Sequence, residues 1–473
     1  MQRRRHTAVA FACALALSAA LAAPAAAREA RITVATPAAP GPAEFNKVWV
    51  DQYGPKKAKR VLVLMPGTSG GSGNFALTAR HLVRQVKGLQ VWSIDRRSAA
   101  LEDTSVFERA LRGEVGLQEM FDYYLGWIAG ATPPSHYEFL DANTVPFARQ
   151  WGMKVALDDA HAVVRKARAK GKRQVILGGH SLGASLTAAY AAWDFKGRPG
   201  HKYIDGMVLI DGGLLGSFDP FDLQQAQQAI ADLEAGNPFL DLIGIGIPEA
   251  SGLFAEVGSI YAQRAPTESA STLQAFPLLP PQFNPPFPVT NRGLLGHAFD
   301  RDTSPQSLGL LHINGGNLSG SGNPQDWVDG GVTPISRLAA TFGREPGNGV
   351  EWFFPRRLTI DTNGADQLVQ NDVANYLGLR LRHLRKVDDP LYVIQSDLTD
   401  GEVLQGGRSF IAQAKTTKKE SRLVNADPEQ SHLDPLMASE NDNAFFETVI
   451  PFLKKKVFPL AKDRPKKGKQ KKK

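Results

Sequence analysis

The 473-residue chain has a single cysteine, Cys13, and it falls in the N-terminal apolar segment. Past that segment no thiol remains, which excludes disulfides, cysteine nucleophiles and thiolate metal sites. Other metal signatures are missing as well, since neither His-Glu-x-x-His nor an EF-hand loop occurs. No later stretch is apolar for the ~20 residues that a membrane-spanning helix needs. Internal repeats are absent. Basic charge is also scarcer than the net +8 suggests. The segment from Lys454 to Lys473 carries eleven Lys and Arg against Asp463, and Arg3 to Arg5 add three more. With both ends set aside the body is mildly acidic, so a specific nucleic-acid binder is not expected.

What is present starts at the N-terminus. Three arginines precede a run of apolar and small residues from Ala8 to Ala23, and Ala25-Ala26-Ala27 offers an A-x-A cleavage site. This pattern predicts a signal peptide over 1–27 and an exported protein with no transmembrane segment in its mature form. Ala10-Phe11-Ala12 makes Cys13 a poor lipoprotein site. Residues 28–44 read as a Pro/Ala-rich linker. The basic tail 454–473 reads as a solvated end able to touch an anionic surface.

Between the ends, short Val/Ile/Leu-rich runs predict strands at Lys47–Tyr53, Arg60–Met65, Gln90–Asp95, Gln174–Gly178, Gly206–Asp211, Leu391–Ser396 and Arg422–Ala426. Helical patterns fall at Ala76–Val86, Trp151–Lys170, Leu182–Trp193 and Ala444–Lys454. Apolar strands alternating with amphipathic helices predict an α/β fold with a mostly parallel sheet covered on both faces. Two stretches break the rhythm. Residues 98–149 carry the aromatic "MFDYYLGWIAG", and 214–389 are expected to form a lid or cap, with helices at Pro220–Ala235 and Glu249–Gln263. Within the latter, "EWFFPRRLTIDTNG" reads as a strand pair or a strand entering a turn. The core is thus expected in two parts, 45–213 and 390–453.

The stretch "QVILGGHSLGASLTAAYAA" runs from a strand into a small-residue helix, with Gly179-His180-Ser181-Leu182-Gly183 at the join. Such a reversal strains the turn residue, and glycines two positions either side remove the side chains that would collide. Ser181 is therefore read as a nucleophile lifted above the carboxyl end of the sheet. An oxyanion hole needs two N–H donors, and Thr68 of "MPGTSGG" and Leu182 at the helix start supply them. The glycines of that loop miss the phosphate-binding spacings. The base should sit on a loop after the last strand, where "SHLDPL" provides His432. His81 and His161 fall on predicted helices, and His180 is expected to point away. For the acid, the loop after "PLYVIQS" offers Asp400, which precedes Gly401 and Val403-Leu404. Asp397 on the same loop and Asp211 at the end of "MVLID" remain alternatives.

Together "GHSLG", "MPGTSGG", "VWSIDRR" and "SHLDPL" resemble the α/β-hydrolase superfamily over residues 45–213 and 390–453. The resemblance implies a mostly parallel, eight-stranded sheet and, most often, ester hydrolysis. The Pro-Gly start of the oxyanion loop and the missing G-x-x-D spacing of the acid loop depart from the usual pattern. The expected protein is a secreted serine esterase or lipase acting on a small-molecule ester, lipophilic ones included, with no cofactor. A serine peptidase, an acyltransferase and a non-catalytic binder of the same fold are the alternatives.

Overall fold

The computed structural model describes residues 29–416 and 418–459. The predicted signal peptide lies outside the described residues, as does the tail from Leu460 onward. Eight strands form the central sheet: β1 Glu29–Ala35, β2 Lys47–Tyr53, β3 Arg60–Met65, β4 Leu89–Asp95, β5 Gln174–His180, β6 Met207–Ile210, β7 Leu391–Gln395 and β8 Arg422–Asn425. Their order is β1-β2-β4-β3-β5-β6-β7-β8. The β1–β2 and β2–β4 pairs are antiparallel, and every later pair is parallel.

The central strands are apolar in a row because both faces are covered. Val61, Leu62, Val63 and Leu64 of β3 are all fully buried, and each contributes about 1.5–3 kcal/mol. Val61 and Val63 pack with the helices Met153–Arg168 and Leu182–Ala192 on one face. Leu62 and Leu64 pack with the helices Ala76–Gln85 and Ala444–Phe452 on the other. The Leu182 helix carries Ala184, Ala188, Ala189, Ala191 and Ala192, all buried, and these small side chains bring it close to the sheet.

Four sequence expectations need correction. Residues 29–35 are no linker: they alternate along an edge strand that pairs with β2 from Glu29↔Tyr53 to Ala35↔Lys47. The surrounding Pro and Ala hid that alternation. "RRLTIDTNGA" is a helix, Arg356–Ala365, begun after Pro355 and braced by an Arg357–Asp361 ion pair one turn apart (2.7 Å). The tail does not begin at Lys454, because a further helical turn runs to Val457 with Leu453, Val457 and Phe458 buried. Finally, 214–389 is not one separate cap. Phe354, Leu358, Ala365, Leu368, Ala374 and Leu377 belong to the same core as β3 and β5. The helix Ala250–Arg264 packs instead with the 98–149 insertion around Phe107, Tyr124 and Trp352.

Candidate active site

Ser181 occupies the one-residue turn between β5 and the Leu182 helix, with φ 54° and ψ −126°. A left-handed serine is strained and persists only where its surroundings hold it. Here its N–H donates to Ile210 O (2.8 Å), and Gly67 lies so close that an added Cβ would fall 2.8 Å from Ser181 Cβ. Thr68 lines the same small cavity as Ser181 and His432, about 20 Å³ in size. That is room for about one water. Among the described residues, neither Thr68 N–H nor Leu182 N–H donates to another protein group.

His432 is buried on the loop after β8, and its ring Nδ1 lies 2.5 Å from Asp211 Oδ2. Asp211 also has a left-handed backbone (φ 46°) and follows β6. Its carboxylate further accepts hydrogen bonds from Ser396 N–H (2.6 Å) and Ser396 Oγ. Burial pushes the Asp211 carboxyl up, but the His432 hydrogen bond and charge, with the two bonds from Ser396, hold it below the ordinary value. The acid expected at Asp400 is therefore corrected. Asp400 is exposed on the loop after β7, away from the imidazole. The position that β7 presents to the site is Ser396, which orients the carboxylate from β6. Asp397 faces elsewhere, accepting from Ser431 Oγ (2.8 Å) and Arg301 (3.3 Å).

Three further residues bear on the site: His180, which the sequence reading turned away from it, and Arg96 and Asp434, which that reading did not single out. His180 does not point away: its Nε2 donates to His432 O (2.9 Å). Burial, with the charge of His432 beside it, lowers the His180 pKa to about 3, so the ring stays neutral. Arg96, first of the two arginines in "SIDRR", donates to Pro66 O (2.5 Å), Gly67 O (2.9 Å) and Gly70 O (3.3 Å), and pairs with Glu351 (2.5 Å). It thereby pins the Thr68 loop from below. Asp434, two residues past His432, accepts from Ser431 N–H (2.6 Å), Asn314 N–H (3.0 Å) and Thr333 Oγ (2.6 Å), and Leu433 N–H donates to His312 O (3.0 Å). The loop that carries His432 is thus held by the inserted segment. Repeated Gly and Asn in 312–333 conceal this from a sequence reading.

The Thr68 loop is clamped from the other side by the segment around Asn348, where Gly73 N–H donates to Asn348 O (2.9 Å). Beneath that segment Glu102 accepts from Trp352 N–H (2.9 Å) and Asn348 Nδ2 (3.2 Å). Burial, with Asp95 and Glu351 nearby, outweighs these bonds and pushes the Glu102 carboxyl up to about 8. A carboxyl raised on folding holds its proton longer than in the unfolded chain, so its contribution to stability is lost as pH rises from about 4.5 through 8. Glu102→Gln keeps an acceptor and removes that titration. Its melting temperature should match wild type at pH 5 and exceed it by a few degrees at pH 9, on the order of 1–2 kcal/mol once partial exposure is allowed for. Equal melting of the two proteins at pH 9 as well as at pH 5 would show that folding does not raise the Glu102 carboxyl.

One group among the described residues has donor atoms clustered as a metal site needs: His201, Asp388 and Asp389, all within 4.8 Å of one another. It sits before β6 and β7, at the opposite end of the sheet from Ser181, and has no part in the site.

The strand order, the parallel crossovers and the strained turn between β5 and its helix define an α/β-hydrolase fold. No protein-family model matches the chain, and no curated protein matches it in sequence. Among solved structures, it is similar to a presumed lipase from Sulfolobus solfataricus (13% identity, TM-score 0.49), covering 90% of this chain and 93% of that one. It is also similar to epoxide hydrolase A from Mycobacterium thermoresistibile (13%, 0.43; 90% and 99%) and to a thermophilic esterase from Thermogutta terrifontis (10%, 0.37; 90% and 99%). At that distance they carry nothing about substrate.

Proposed function

We propose that this protein is an exported serine hydrolase that cleaves carboxylic esters through an acyl-enzyme on Ser181. The observation that carries the reading is the buried Asp211–His432 pair beside a serine in a strained turn, with both Ser181 and His432 lining one cavity. Asp211 engages Nδ1 of His432, which leaves Nε2 as the ring nitrogen for the Ser181 hydroxyl. His432 takes that proton as Ser181 Oγ attacks the ester carbonyl, and Asp211 steadies the imidazolium that forms. The oxyanion meets the N–H groups of Thr68 and Leu182, each worth about 3 kcal/mol in the transition state. Collapse expels the alcohol, which takes its proton from His432. Water then attacks the acyl-enzyme with the same histidine as base, and the carboxylic acid leaves. A cavity of about 20 Å³ does not admit an ester, so the side chains above it, Leu310, Leu311, Phe342 and Val350, must move. The N-terminal leader pattern supports export.

A fluorescent alkyl fluorophosphonate tests this. It should label the mature wild-type protein covalently and leave Ser181→Ala unlabelled, with p-nitrophenyl ester turnover falling by about 10⁶-fold in the variant. Labelling that persists in Ser181→Ala would overturn the proposal.

A further inference from the structure

The Thr68 loop runs into a short helical turn, Ser72–Phe75, and Asn74 of that turn lines the Ser181 cavity together with Thr68 and His432. Its backbone is held on both sides. Asn74 N–H donates to Gly71 O (3.2 Å), and Gly71 N–H donates to Gly349 O (3.1 Å). One continuous wall joins the nucleophile to this side chain. A Cβ added at Gly67 would crowd Ser181, and one added at Gly70 would fall 2.5 Å from Asn74 Nδ2 and 3.4 Å from Gly67 N. Glycine at position 70 therefore leaves the amide its place beside the loop.

Asn74 is 5% exposed, yet its side-chain amide makes no hydrogen bond with any described residue. Oδ1 is wholly enclosed, whereas Nδ2 keeps some open surface, and the cavity is where that surface opens. An amide donor this deeply buried is disfavoured unless an acceptor meets it. Since no oxygen of the described residues does so, the acceptor has to arrive with whatever occupies the cavity. The facing side chains, Leu310, Leu311, Phe342 and Val350, are all apolar and offer none. Nothing in the fold depends on the hydrogen bonding of this amide, because it has none within the protein.

We infer that Asn74 is a catalytic residue whose Nδ2–H donates to the ester oxygen that becomes negative when Ser181 attacks. The inference rests on the serine-ester reading above and adds a side-chain donor to the backbone N–H groups of Thr68 and Leu182. The oxyanion forms on the Thr68 side of the cavity, and Asn74 belongs to that side, while the leaving oxygen is turned toward His432. The proton stays on Nδ2 throughout, so the sequence of proton transfers through His432 is unaltered. The apolar side chains must move to admit an ester, but Asn74 stands on the clamped wall. Its donor is thus in place before substrate arrives and needs no reorganisation as charge develops.

The test compares Asn74→Leu and Asn74→Asp with wild type, by turnover of p-nitrophenyl acetate and by inhibition with an alkyl trifluoromethyl ketone. Ser181 adds to that ketone to give an oxyanion that cannot collapse. Both variants stay close to asparagine in size. Leucine removes the donor, and aspartate replaces it with an acceptor that repels the oxyanion. In Asn74→Leu kcat should fall by about 10²-fold with KM held within about twofold. The Ki of the ketone should rise by a similar factor, as a transition-state mimic requires. Asn74→Asp should lose at least as much. Should Asn74→Leu not fold, as judged by circular dichroism, Asn74→Asp and Asn74→Ala supply the same readings. A kcat within about twofold of wild type in the folded variants overturns the inference. So does an unchanged Ki beside a lowered kcat, or a loss confined to KM. In each of these cases wild-type turnover and fluorophosphonate labelling leave the ester reading standing. A wild-type protein that neither hydrolyses the ester nor takes the fluorophosphonate defeats both.

Discussion

Asp211→Asn should lower kcat/KM by about four orders of magnitude with the fold intact, while Asp400→Asn should stay within about twofold of wild type. The cause lies in the bond from His432 Nδ1 to Asp211 Oδ2. An asparagine that turns its NH2 toward the ring demands a lone pair on Nδ1, which puts the ring proton on Nε2. The imidazole can then no longer take the Ser181 proton. If the amide turns the other way, its NH2 meets the Ser396 donors, and the buried pair loses its charge in either case. Asp400 is exposed and has no bond to His432, so neutralising it removes nothing from the reaction. Steady-state turnover of a p-nitrophenyl ester, with circular dichroism to verify folding, reads both variants. Near-full activity in Asp211→Asn would remove Asp211 from the mechanism.

The second large effect is on stability. A Cβ at Gly183 would collide with the Met65 carbonyl oxygen and approach Pro66 O to 2.8 Å. Both are backbone atoms: Met65 ends β3 paired with Gly179 of β5, and Pro66 O is held by Arg96, so neither can give way as a side-chain tip could. Gly183→Ala should cost about 3–5 kcal/mol, read as a fall in the denaturation midpoint or as loss of soluble protein. Gly258 provides the contrast. It lies inside the Ala250–Arg264 helix, and the nearest atom to an added Cβ is Leu295 Cδ1 at 3.7 Å. Gly258→Ala should be neutral or stabilising by up to about 1 kcal/mol, because alanine restricts the unfolded chain and favours a helix. Equal stability of the two variants would contradict the tight crossing of helix and strand.

These effects also mark which parts were legible in sequence. The sheet was readable because buried strands are unbroken apolar runs, and stretches such as "RVLVLM" and "LQVWSID" admit few other structures. The edge strand β1 was not, since one solvated face and flanking prolines leave it with the composition of a linker. The helix at Arg356–Ala365 was misread because Thr359, Ile360 and Thr362 favour strands locally, and burial of Leu358, Ile360 and Thr362 against the neighbouring helices Met153–Arg168 and Leu182–Ala192 overrides that preference. At the site, the glycine spacing around Ser181 and the position of His432 were legible because they answer to local geometry. The acid was not. Asp211 and Asp400 both follow apolar strands, and only the depth of Asp211 beneath His432 and the bonds from Ser396 distinguish them. Arg96 and Asp434 act through carbonyls and amides far apart in the chain, for which no local pattern exists.

The hydrogen bonds from Asn314 and Thr333 to Asp434 bear on how such a protein can diversify. Where a cover is merely laid over a finished core, one cover can be exchanged for another and the chemistry survives. Here, excising 312–333 would strand a buried carboxylate two residues from His432 and free the loop that aims it. Substrate range and catalytic competence are then inherited together. Engineering new specificity in this scaffold is best attempted by point changes on the cavity walls rather than by transplanting the insertion.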